Sequence, residues 1–156
     1  DLDLWRFRLP NSKAVSNLIG SITRDFKTWD RMVEKFESPK NRKRLIKKGK
    51  IMLEYEQNLI GRILAKAVFI SWKGKQYAAV NSPILVSELG HELSKKSKTG
   101  IGIVWHRSPQ GIKVSLRSEG NIDATRLSIP YGGGGHRNAA AFVIKNTDRL
   151  PWKIIS

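Results

Sequence analysis

The spacing of the apolar residues changes once along the chain, near residue 65, and this limits the possible folds more than any other feature. Before that point, apolar residues recur at helical three-, four- and seven-residue intervals; after it, they alternate as strand residues do. In "NSKAVSNLIGSI", Val15, Leu18, Ile19 and Ile22 share one helix face, with Asn11 or Ser12 as the N-cap. A second helix is expected over residues 27–36, with Trp29, Met32, Val33 and Phe36 as its stripe. Pro39 opens the longest element, over roughly residues 40–64, where Leu45, Ile46, Met52, Leu53, Leu59, Ile60, Ile63 and Leu64 form one sustained stripe. The opening "DLDLWRFRLP", residues 1–10, reads as an extended connecting arm.

Past residue 65, "KAVFISW" and "QYAAVN" read as two strands joined by the Gly-centred turn "KGK". A helix over residues 84–96 follows Pro83. Two more strands, "IGIVWHR" and "GIKVSLRS", flank "SPQ", and a short helix near 121–128 starts at Asn121 or Asp123. "AAAFVI" closes the pattern as a strand. The expectation is an α/β (α+β) fold: a mixed sheet of about five strands flanked by helices, preceded by a helical arm with one long basic helix. The segments are 1–64, arm and helices, and 65–156, the sheet domain.

Composition narrows the function. The chain has 156 residues, of which 40% are apolar and 27% charged, as in a globular protein. Lys and Arg number 29 against 13 Asp and Glu, a net charge of +16. So large an excess repels itself and points to a polyanionic partner, nucleic acid before an anionic membrane. Lys40, Arg42, Lys43, Arg44, Lys47, Lys48 and Lys50 crowd the first half of the long helix with no acid among them. Such a run is either a solvated face or a surface for nucleic-acid backbone, whose binding is salt-dependent and blind to sequence. The absence of cysteine excludes disulfides, thiolate zinc sites and a Cys nucleophile, and fits any compartment. No apolar run approaches the roughly 20 residues of a membrane span, so no membrane partner is expected.

Four glycines in "YGGGGHRNAAAF", residues 131–142, stand between Pro130-Tyr131 and an apolar strand. A linker of this kind is usually Ser-rich with polar flanks, so the run reads as a packed loop. Glycines at 132–135 let backbone N–H groups converge on an anion, with the more force if a helix starts just after them. His136, Arg137 and Asn138 are then placed to add side-chain donors. No Lys-Ser/Thr follows the last glycine, so this is not a nucleotide P-loop. In "VSLRS", Val114, Leu116 and Ser118 face one way and Ser115 and Arg117 the other. Alone, Arg117 reads as an exposed strand arginine; beside the glycine loop it is a second phosphate contact.

"SLRS" followed about fifteen residues later by "GGGGHRNAAAF" resembles the DHH-associated C-terminal domain of the DHH phosphoesterase family. The opening "DLDLWRFRLPNSKAVS" resembles the stretch that joins the catalytic DHH domain to this domain in the oligoribonuclease-like branch. The resemblance implies that Gly132, Gly133, Gly134, Gly135 and His136 form the loop that grips a substrate's terminal nucleotide or phosphate. It implies that Arg117 is the substrate-binding arginine, with Arg137 and Asn138 in the same loop. One departure is Ala141, where the family usually has Gly; a methyl there is expected to narrow the turn.

The resemblance also implies that hydrolysis belongs to a separate N-terminal domain whose Asp and His residues hold two divalent ions, manganese or magnesium. Here the histidines are His91, His106 and His136, none in a recognisable metal spacing. His91 reads as a helix-surface residue and His106 as an ordinary strand residue. No catalytic residue, metal site or cofactor is therefore expected in this chain. Two readings follow. In one, the chain is the substrate-binding part of a phosphodiesterase whose DHH domain lies upstream of Asp1, acting on RNA or single-stranded nucleic-acid ends. In the other, it is a stand-alone, non-catalytic RNA-binding component of a ribonucleoprotein assembly such as an organellar ribosome. The location is intracellular in either case, with mitochondrion, plastid and cytoplasm left open.

Overall fold

The computed structural model describes residues 9–145 and 149–155, so the opening arm lies outside the described residues except for Leu9 and Pro10. The chain forms two compact units, Asp1–Leu59 and Ile60–Ser156. The first holds α1 (Ser12–Gly20), α2 (Phe26–Glu37) and most of α3 (Pro39–Leu64). Asn11 occupies the N-cap position of α1 in the left-handed region, and its side chain makes no cap bond. Ala14 and Leu18 are the buried residues of α1. Where α1 meets α3, a Cβ on Gly49 would lie 2.1 Å from the Ala14 carbonyl oxygen, so only glycine permits that approach. Asp25 caps α2 by accepting the Thr28 N–H at 2.8 Å. The expected stripe of α2 exists, yet none of its residues is buried, and Phe26, Trp29 and Val33 stand exposed.

The second unit is a sheet domain. In chain order it contains β1 (Val68–Trp72), β2 (Lys75–Asn81), α4 (Val86–Lys96), β3 (Ile101–Ser108), β4 (Gly111–Ser118), α5 (Thr125–Ser128), β5 (Gly134–His136), β6 (Ala139–Ile144) and β7 (Lys153–Ile154). The spatial order is β5-β6-β4-β3-β2-β1-β7. Every pairing is antiparallel except β2 with β3, which α4 connects as a crossover helix. The mixed α/β fold and the five strands read from the sequence are present. Two short strands are added, one at each edge. The helix expected over 121–128 is shorter, because Asp123 accepts the Thr125 N–H at 3.0 Å and only Thr125–Ser128 turn as α-helix. A single 3-10 turn, Ile129–Tyr131, follows.

Alternation along the strands divides the core in two. On one face, Ala78, Val80 and Val104 pack with Leu89 and Leu93 of α4 and with Ile60, Ile63 and Leu64 in the last turn of α3. A Cβ on Gly102 would lie 2.1 Å from the Gly90 carbonyl oxygen, so that glycine brings α4 close onto β3. The opposite face carries Ile70, Ile103, Val114 and Leu116 with the aromatic group Trp72, Tyr77, Phe142 and Trp152.

Candidate phosphate-end site

The register brings two of the candidate residues into one row. Arg117 of β4 pairs with Ala139 of β6, and Ala139 pairs with His136 of β5. Directly paired residues project to the same face of a sheet. Arg117 and His136 therefore share the α4 face, two interstrand spacings or roughly 10 Å apart along the sheet, with only the Ala139 methyl between. The next row on that face, Ser115, Ala141 and Gly134, is also small. The result is a shallow floor with a cation at one side and an imidazole at the other.

Arg117 is not the exposed strand arginine that its position alone suggests. Its stem runs over Gly90 of α4, where an added Cβ would sit 2.6 Å from Arg117 Cγ. Nη2 donates to Ser87 Oγ at 3.0 Å and Nη1 to the Leu116 carbonyl oxygen at 3.0 Å. Burial pulls the guanidinium below its ordinary pKa and the Glu88 carboxylate opposes that pull, so the group stays cationic. A guanidinium has five N–H donors, so two bonds fix its direction and leave others for an anion.

His91 lies beside this network. Its Nδ1 is 3.1 Å from Glu119 Oε1 and its side chain is 13% exposed, so it is packed, not a surface residue of α4. The two sides of the contact are brought together by α4 and the segment after β4, which the sequence could not reveal. Ser87, Glu88 and His91 were all missed as partners: Ser87 and Arg117 stand 30 residues apart in the chain, and no local pattern links them.

The glycine loop is packed at its root. Tyr131 stacks on Phe142 with ring centroids 4.6 Å apart, and its hydroxyl oxygen accepts a hydrogen bond from Trp72 Nε1 at 3.2 Å. The Lys73 ammonium lies over the Tyr131 ring, 5.0 Å from its centre. Gly132 N–H donates to the Ile129 carbonyl oxygen and Gly133 N–H to that of Ser128. Gly133 then lies against β6, and Gly135 takes φ +136°, where a side chain is strained. The expected convergence of four N–H groups is thus changed. Two are used inside the loop, no helix begins after it, and Gly134–His136 form the edge strand β5. Donors not paired with β6 point outward from that edge, beside His136.

Arg137 and Asn138 turn away from the Arg117–His136 row. Arg137 Nη2 donates to the Asn121 carbonyl oxygen. Asn138 Nδ2 lies 3.2 Å from the carbonyl oxygens of Ser118 and Gly120 and from Ser118 Oγ. Both residues thereby tie the hairpin to the segment that follows β4. Ala141 sits in the middle of β6, paired with Ser115 and Gly134, so its methyl forms part of the floor and not of a turn.

The seven cations of α3 are all exposed, and no ion pair joins any of them among the described residues. Among those residues no three His, Asp or Glu side chains gather as metal ligands, so the residues present do not fit the two-metal centre of a DHH domain. No helix among them is long and apolar enough to cross a membrane.

Fold and site define a mixed α/β domain that carries an arginine and a glycine-flanked histidine on one sheet face. The DHHA1 domain family matches residues 61–152, more than half of the chain, and the chain belongs to that family, the DHH-associated domain related to DHH phosphoesterases. An uncharacterised protein of Acanthamoeba polyphaga mimivirus is 26% identical over 148 residues, which cover 90% of this chain and 34% of that protein. A bifunctional oligoribonuclease and PAP phosphatase of Thermus thermophilus is 35% identical over 48 residues, 31% of this chain and 15% of that enzyme. The chain thus matches about a third or less of the length of these relatives. A solved pGpG-specific phosphodiesterase from Vibrio cholerae shares the fold, with a TM-score of 0.51 at 13% identity, over 87% of this chain and 51% of that one.

Proposed function

We propose that the sheet domain binds the phosphate-bearing end of a nucleic acid or nucleotide on the face shared by Arg117 and His136. The observation that carries this reading is the row Arg117–Ala139–His136, in which two side-chain donors flank a floor too small to obstruct a ligand. Arg117 supplies the fixed charge and His136 a donor. Gly132, Gly133, Gly134 and Gly135 let the backbone come close, and Arg137 and Asn138 hold the hairpin in place. The relatives named for oligoribonuclease and pGpG phosphodiesterase activities support a nucleotide ligand. Cleavage in this reading belongs to a DHH domain and its manganese or magnesium ions.

The test is binding of a short 5′-phosphorylated RNA to the 156-residue chain and to Arg117→Ala and His136→Ala. Each substitution should weaken binding by about tenfold, the scale of one charge-assisted hydrogen bond. Unchanged affinity in both variants would remove the reading.

A second reading rests on a separate observation, the seven exposed cations of α3, which form no ion pair among the described residues. They suit the backbone of a longer RNA, as expected of a non-catalytic component of a ribonucleoprotein. The two readings differ in ligand length: the first needs an end, the second needs a tract.

A further inference from the structure

The other face of the sheet carries a cleft that the Arg117–His136 row does not use. Tyr77 and Ile101 alternate with Ala78 and Gly102, so they point away from α4. Beside them, the segment 121–127 and Arg137 enclose a cleft of about 620 Å3. That volume is in the range of small-molecule sites.

The phenol of Tyr77 marks the floor. Tyr77 is 2% exposed, with its ring packed 5.9 Å from that of Trp72. Its hydroxyl bonds to no other described residue, yet no fully enclosed side-chain polar atom among those residues lacks a partner. The hydroxyl is therefore not fully enclosed, and Tyr77 lines the cleft, where the phenol is free to meet a ligand.

Charge and apolar surface are divided around it. Lys75, Arg126 and Arg137 supply three cations and Asp123 one carboxylate. Asp123 Oδ1 already accepts from Thr125, and its Oδ2 lies 3.9 Å from Arg126 Nε. That leaves a net positive rim. Ile101, Ile122 and Leu127 form the apolar wall.

We propose that this cleft is a second ligand site, for a nucleoside monophosphate. The phosphate meets Lys75, Arg126 and Arg137, the ring system lies on Ile101, Ile122 and Leu127, and Tyr77 Oη bonds the ligand from beneath. A bare phosphate would leave the apolar wall and most of the volume unused; an uncharged nucleoside would leave the cations unpaired. The inference does not depend on the Arg117–His136 grip.

The test titrates adenosine monophosphate, inorganic phosphate and adenosine separately into the full chain, followed by amide chemical shifts in NMR. The monophosphate should move the amides of Tyr77, Thr99, Ile101 and Leu127 and bind about tenfold more tightly than either fragment. Tyr77→Phe keeps the ring in the core and should weaken binding by about fivefold to tenfold. The pair Lys75→Gln and Arg126→Gln lies at the rim, outside the core, and should weaken it further. Arg117→Ala with His136→Ala should leave these four shifts in place, which separates failure of the grip from failure of the cleft. Shifts confined to the Arg117–His136 face, cleft shifts that survive the Lys75/Arg126 pair, or equal binding of inorganic phosphate would each overturn the proposal.

Discussion

Gly133 and Gly134 are neighbours with opposite requirements. A Cβ on Gly133 would lie 2.3 Å from the Ala141 carbonyl oxygen and 2.5 Å from Phe142 Cβ, while one on Gly134 would meet nothing within 4 Å. Gly133→Ala forces β5 and its loop away from β6 and should cost about 1–3 kcal/mol, as overpacking does. Gly134→Ala should change stability by no more than about 0.5 kcal/mol. Urea unfolding of the two variants checks the contrast; equal losses would mean that the loop does not pack as described. Gly134→Ala then becomes the cleaner probe of binding, since its methyl would stand on the ligand side without disturbing the fold. From the sequence alone, four successive glycines look alike. Their separate roles come from the strand they lie against, and no local pattern encodes that.

At the scale of elements, alternation and helical spacing revealed α1 to α4 and the longer strands, because each carries enough apolar residues to show its period. They could not reveal β5 or β7. Gly134–His136 has no apolar residue and Lys153–Ile154 has one, so their extended form comes from pairing with β6 and β1. The same limit hid His91 and Ser87: the helix was legible, but the strand end facing it was not. Arg117 and His136 were legible as residues, whereas their common row needed the register of three strands. α2 offers a test at this scale. None of its residues is buried, so its cap matters more than its packing. The Thr28 backbone N–H, and then its side chain, hold the Asp25 carboxyl below its ordinary pKa. A carboxyl depressed by folding contributes stability above its unfolded pKa and loses it as pH falls through the folded value. Helicity should therefore decline as the solution is acidified beneath the ordinary carboxylate range, and Asp25→Ala should start lower and lack that component. A pH profile by circular dichroism that is the same in both proteins would discount the cap.

The whole molecule is more basic than a grip on one phosphate end requires. A net charge of +16 repels itself, and the seven cations of α3 concentrate that repulsion on one exposed run. If the run lies along RNA, each neutralised phosphate releases condensed counterions, and the logarithm of affinity falls with the logarithm of salt by about 0.7 per contact on a single strand. Replacing all seven by Gln should flatten that slope by up to about 5, the value for seven contacts. Affinity for a nucleoside monophosphate should hardly change, since that ligand is too short to span the run. Fluorescence anisotropy with a long unstructured RNA and with the mononucleotide, each across a salt series, makes the comparison. A slope that survives the sevenfold substitution would place the RNA elsewhere on the chain. A slope that disappears for the long RNA, with mononucleotide binding intact, would assign tract binding to α3 and end binding to the sheet domain.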